Sequence, residues 1–366
     1  MPRERVRRTR AASDNRRVSS SSVRRGTGFG LMAAAAFGAS APIAKHLVGD
    51  VRPQLLAGLL YAGAFLALML VRRRPTAEAR VRRGDWPTLA GVTATGGVVA
   101  PVLMLLGLQR VTGVAGSLLL NLEAVLTVTL AVTVFGEHLG RRSWAGAATI
   151  VAGGGVLTIA NGGGGRVDPV GVLVLVSACI CWAVDNNLTQ RISDRDPFAI
   201  VRVKAAVSAA VNVVLAFALG APLPSLGLIV GAMALGSVAY GLSIVLDAYA
   251  LRAVGAARES ALFATGPFFG AVLAVPLLSE RLGWHEGSAA LLMAGGVALM
   301  VFEHHVHSHT HQPVEHNHRH RHDDGHHDHL HSDSESGGWH SHVHAHELLT
   351  HAHAHVSDSG HRHQHA

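Results

Sequence analysis

Charge is scarce in this sequence. Only 15% of its 366 residues are Asp, Glu, Lys or Arg, against about 25% in an ordinary soluble domain. What charge there is sits at the two ends and in short clusters. Cysteine is nearly absent, with two residues, Cys179 and Cys181, on one apolar run. Positions i and i+2 of a helix do not face each other, so no disulfide framework is expected. Strand-like alternation of polar and apolar residues is missing from the long apolar segments, which excludes a β-barrel. No nucleophile stands near a base in a plausible setting, and there is no phosphate loop, which argues against an enzyme. The glycine-rich link at 161–165 has no strand before it and no Lys-Ser/Thr after it. A pI near 10.3 would suggest nucleic acid if the arginines formed a patch on a soluble fold. Here they flank apolar runs, where they serve as orientation signals, so no nucleic-acid partner is expected.

What is present is apolar sequence, 49% of the chain. Between about 28 and 302 it falls into segments of about 20 residues, the length that spans a bilayer. Ten are expected: Gly28–Val48, Pro53–Val71, Trp86–Leu108, Val114–Phe135, Trp144–Ala160, Pro169–Leu188, Phe198–Leu219, Leu226–Leu251, Glu259–Leu278 and Gly287–Phe302. Backbone groups in lipid must bond within their own segment, so these are helices.

The stretch Gly113–Ala160 is echoed by Ala256–Phe302 at a constant offset of 143, pairing Ser117 with Ser260, Glu137 with Glu280 and Gly153 with Gly296. Five helices is an odd number, so the second copy runs the opposite way through the membrane. The expected fold is an all-α integral membrane protein of ten transmembrane helices in two inverted five-helix repeats, with the site between them. The expected domains are a disordered basic arm (1–27), the first repeat (28–160), a glycine-rich linker (161–168), the second repeat (169–303) and a histidine-rich tail (304–366). Arginines crowd the loops on one side, at 72–74, 80, 82, 83, 141–142, 191, 195 and 252, against four on the other. That asymmetry places both termini in the cytoplasm, on a cytoplasmic (inner) membrane.

The turn "FGEHL" at Glu137, echoed by "LSERL" at Glu280, follows "SLLLNLEAVLTVTLAVTV" and precedes a glycine-rich helix. In these motifs, and across about 28–302, the chain resembles the EamA family of the drug/metabolite transporter superfamily. It departs from the family pattern at Ala124, where a proline is usual, and at Ser279, where the turn usually has glycine. The resemblance implies export of small organic metabolites, by facilitated or proton-coupled exchange, with no cofactor required.

Charged groups inside a membrane are costly and are functional candidates by default. Glu123 lies near the middle of the fourth helix and is the leading candidate for contact with substrate or proton. Asn121, Asp185, Lys204, Asp247 and Lys45 are further candidates for the pathway. Asp185, Lys204 and Asp247, like Glu259, lie near enough to an interface to snorkel, and an Asp185–Lys204 pair is plausible. Lys45 suits an outer gate or plain snorkelling. Tyr61, Trp182 and Tyr240 read as core residues that could line a cavity.

The tail holds 23 of the 26 histidines, has little to bury and should be disordered. Residues i and i+2 of an extended chain point the same way, so its H-x-H runs suit Zn²⁺, Ni²⁺ or Co²⁺. The candidate ligands are His316, His318, His320, His322, His326, His327, His329, His331, His340, His342, His344, His346, His351, His353 and His355. Three readings stand: a metabolite exporter whose tail binds metal, a divalent-metal exporter, and a membrane-anchored metal sensor. The helices lack the paired intramembrane His, Cys or carboxylates that metal cargo would need. Expected partners are the bilayer and a small-molecule or ion substrate, with a homodimer left open.

Overall fold

Proline and a capping side chain set the start of several helices. In the computed structural model, Asp168 accepts a hydrogen bond from the Val170 N–H ahead of Pro169, and Asp196 does the same for Phe198 ahead of Pro197. Such a cap satisfies an orphan donor, and proline at the first helical position loses nothing. The structure describes residues 24–71, 80–135, 140–159, 168–192, 195–254, 262–301, 305–311, 315–320, 340–345 and 349–355. The basic arm before 24, the turn at Glu137, the link at 161–165 and Glu259 lie outside the described residues.

The ten helices are α1 (Arg24–Leu47), α2 (Pro53–Leu70), α3 (Arg83–Leu108) and α4 (Gly113–Val134), α5 (Arg141–Ile159), α6 (Pro169–Gln190) and α7 (Pro197–Ala218), then α8 (Leu226–Asp247), α9 (Gly266–Leu277) and α10 (Trp284–Val301). Among the described residues, seven are long and apolar enough to cross a membrane. The described part of α9 is shorter than its expected span because a turn at Ala264 and Thr265 interrupts the helix, with the Thr265 N–H bonded to Leu262 O at 3.1 Å; residues 255–261 are not described.

The repeats interlock in antiparallel pairs. α5 packs against α10, α2 against α7, α3 against α6, and the start of α4 against α9. The α5–α10 crossing is tight: a Cβ placed on either Gly146 or Gly296 would stand 2.6 Å from the other's carbonyl oxygen. Close backbone approach of this kind is how helices associate in lipid, where apolar area alone gives no drive.

Two helices depart from regularity at equivalent places. α3 widens to a π-helix over Thr93–Val99 and α8 over Ser237–Leu242, in matching register at the offset of 143. A π-turn shifts the backbone bonding by one residue and is often found at functional sites. A third departure is in α4. The fourth helix, expected to be continuous, breaks at Leu120 and Asn121 into Gly113–Leu119 and Leu122–Phe135. Tight i to i−3 bonds mark the break, from Asn121 N–H to Leu118 O at 3.0 Å and from Glu123 N–H to Leu120 O at 3.1 Å.

The tail also differs from the expectation of disorder. Backbone His305–His311 pairs antiparallel with Leu349–His355, and Glu315–His320 with His340–Ala345. Histidine stands opposite histidine at 305/355, 307/353, 309/351, 316/344, 318/342 and 320/340. The every-second-residue pattern is compatible with an extended strand, whose own period is two. His322, His326, His327, His329, His331 and His346 lie outside the described residues.

Candidate functional site

The break in α4 decides where Glu123 sits. It falls in the first turn of Leu122–Phe135, where the helix dipole favours a carboxylate. From there it accepts a hydrogen bond from Asn186 Nδ2 of α6 at 2.9 Å. Asn186 is exposed and Glu123 half-exposed, and the bond joins α4 of the first repeat to α6 of the second. Asn187, next along α6, donates to the Thr127 carbonyl at 3.0 Å. Asn121 turns away from this group: its amide donates to its own helix at Leu118 O, 3.0 Å away.

One residue before Asn186, Asp185 faces the other side of α6. Asp185 and Lys204 do not reach toward an interface as their positions in the sequence suggest. Lys204 Nζ meets Asp185 Oδ2 at 2.5 Å, with side chains 16% and 6% exposed. Thr189 Oγ1 donates to the other carboxylate oxygen at 3.4 Å. The pair is possible because α3 carries Gly96 there; a Cβ would strike the Asp185 carboxylate. Desolvation of two charges is costly, and an ion pair in such a setting holds only if both partners stay.

Lys204 begins a stripe along α7 that continues through Ser208 and Asn212, both fully buried. Residues four apart share one helix face. Asn212 Nδ2 donates to Gly97 O at 3.3 Å and its Oδ1 accepts from Gln54 at 2.6 Å. On the same π-turn, the Gly96 carbonyl accepts from Tyr61 OH at 2.9 Å and from Trp182 Nε1 at 3.2 Å. The Tyr61 and Tyr240 rings stand 5.5 Å apart, joining the two π-segments. Tyr61 and Trp182 therefore belong to a polar network as well as to the core, and Tyr240 packs its ring against Tyr61. Asp247 lies further along α8, half-buried. Lys45 is at the α1 end next to the α3–α4 turn.

Sequence reasoning missed Ser208, Asn212, Gln54 and Thr127. The spacing of Lys204, Ser208 and Asn212 was a usable signal, since a polar residue on every fourth position of an apolar helix marks one buried face. Cys179 is buried and Cys181 half-buried, and both are free. Among the described residues, no group of three or more His, Cys, Asp or Glu is placed to hold a metal ion. The side chains of the tail histidines are outside that description. A separate groove lined by Trp86, Leu89, Thr93, Val203 and Val207 is almost wholly apolar and offers no charged group.

The model of the EamA-like transporter family matches residues 24–159 and again 169–302. The chain belongs to that family. As an EamA-like transporter it is a multi-pass membrane protein that carries small molecules, and not an enzyme. An uncharacterised transporter of Methanothermobacter thermautotrophicus is 29% identical over 287 residues, covering 72% of this chain and 82% of the relative. A probable amino-acid metabolite efflux pump of Salmonella typhimurium is 29% identical over 168 residues, covering 46% of this chain and 54% of that pump. A solved crystal structure superposes with a TM-score of 0.56 at 21% identity, over 75% of this chain and 95% of that one, which bears on the fold alone.

Proposed function

We propose that this chain exports small amine-bearing metabolites, of the amino-acid kind, across the cytoplasmic membrane by alternating access, with both termini in the cytoplasm. The observation that carries this reading is Glu123. It is a half-exposed carboxylate at the junction of the two repeats, held by Asn186 and seated at the start of a half-helix as transporter sites commonly are. The Asp185–Lys204 pair beside it is already neutralised, which leaves Glu123 to receive a substrate ammonium group. The similarity to a probable amino-acid metabolite efflux pump supports both the direction and the substrate class.

The test is uptake into inside-out membrane vesicles of a panel of amino acids, each with its N-acetylated form. Glu123→Gln should lower transport of the free amines at least about tenfold, the loss of one charge-assisted contact, and should spare no N-acetyl preference. Equal transport by wild type and Glu123→Gln overturns the assignment.

The tail supports a second element of the proposal, divalent-metal binding apart from the transport path. Six rungs of opposed histidines bring imidazole-bearing residues together in pairs, a donor chemistry suited to Zn²⁺, Ni²⁺ or Co²⁺. The helices give no matching set of ligands among the described residues, so the metal is read as bound by the tail and not as cargo.

A further inference from the structure

The turn between α3 and α4 is gripped by opposite charges from two directions. Lys45 on α1, one of the chain's two lysines, donates from Nζ to the carbonyls of Leu108 and Val111, both at 2.6 Å. These lie at the C-terminal end of α3, where unpaired carbonyls concentrate negative partial charge. From the other repeat, Glu280 accepts from the backbone N–H of Gly113 at 2.6 Å and of Val114 at 2.9 Å. Thr112 Oγ1 accepts from the Ala115 N–H at 3.2 Å. The first amides of α4 are thus satisfied, two of them by a carboxylate belonging to the opposite half of the molecule.

The Glu280 turn is shaped for that reach. α9 ends with Leu278 as its cap, and Ser279 follows at φ 53, the one non-glycine residue with positive φ among those described. A left-handed residue just past a helix reverses the chain, and glycine usually fills that place. Serine holds it here, and Glu280 is turned back onto α4.

Burial along α4 shows what the contact closes. Every residue from 113 to 121 is buried, whereas from 122 to 130 only Val125 is. The first half of α4 lies against α9 and α10, and the second against α6. The half of α4 next to Glu280 is therefore closely packed on all sides, and the packing loosens beyond the break.

We propose that Glu280 is a latch: its carboxylate on the α4 N-terminus holds this end of the path shut, and each transport cycle requires it to leave. Lys45 positions the α3–α4 turn to receive it. This inference rests on the alternating-access reading above.

The test is accessibility in the full-length protein in sealed vesicles, with Cys179 and Cys181 replaced by Ala and Ser117→Cys as the reporter. Ser117 is fully buried in the sealed half of α4. A membrane-impermeant maleimide on the Glu280 side should label the reporter slowly. Glu280→Gln should speed labelling about tenfold, the weight of one charge-assisted hydrogen bond. Arg110→Ala, which breaks the exposed pair with Asp168 at the same end, should change nothing. Unchanged labelling in an inserted Glu280→Gln protein overturns the latch. Where that variant fails to insert, Val114→Pro removes one of the two N–H groups at a first-turn position that tolerates proline; a rise supports the latch and no rise overturns it. Labelling needs no substrate, so a wrong substrate class fails the vesicle assay while leaving this result standing.

Discussion

The Asp185 carboxylate fills the space where a side chain on Gly96 would stand. The α3–α6 contact and the buried ion pair are therefore one feature. Gly96→Ala should displace Asp185 from Lys204 and destabilise the protein by about 3 kcal/mol, as when a buried pair loses a partner. Thermal unfolding in detergent checks the stability, and vesicle transport should fall with it.

Asp185 and Lys204 should behave as a unit. Asp185→Asn or Lys204→Met alone leaves one buried charge and should cost about 3–5 kcal/mol. The double variant removes both charges and should recover much of that loss. A double-mutant cycle on unfolding midpoints measures the coupling; additive losses would contradict it.

Ser279 occupies a backbone region that costs a non-glycine residue about 1–2 kcal/mol. Ser279→Gly should relieve part of that strain and raise the midpoint of thermal unfolding, although glycine also gains freedom in the unfolded chain. A lowered midpoint would show that the serine side chain contributes more than its backbone costs.

Gly146→Leu or Gly296→Leu should separate α5 from α10, because each glycine's carbonyl lies where the other's side chain would be. The expected result is loss of folded protein on size exclusion. Leucine at Gly155, which has open space around it, should be tolerated and serves as the control.

Removing 304–366 should abolish Ni²⁺ binding by the full chain in equilibrium dialysis and leave amine transport within about twofold, the scale of a change far from the chemistry. Loss of transport together with metal binding would favour metal as cargo.

Apolar length and the repeat at a fixed offset made the helices and their division into two halves legible in the sequence, but not which helix packs on which. These signals are local or periodic. The break at Leu120 and Asn121 was not legible, because "SLLLNLEAVL" is rich in leucine and carries neither proline nor glycine at the break. The site was legible in part. A charge in an apolar run announces itself, so Glu123, Asp185 and Lys204 stood out. Asp185 and Lys204 also suggested each other, but the partner of Glu123 did not stand out, since Asn186 lies 63 residues away, and neither did the contact of Glu280 with Gly113, 167 residues apart. The Gly-Glu turn was visible as a motif, but its reason, a left-handed residue that aims a carboxylate, needed the backbone angle at Ser279.

The matched π-turns in α3 and α8 constrain how this chain can change by insertion or deletion. Each holds one surplus residue and absorbs it locally. Deleting one residue inside the π-turn should therefore close it to plain α-helix and leave Ala100–Leu108 or Ser243–Val254 in step with its neighbours. Deleting one residue from the regular helix beyond it should instead swivel everything downstream by about 100°, one residue's rotation on a helix.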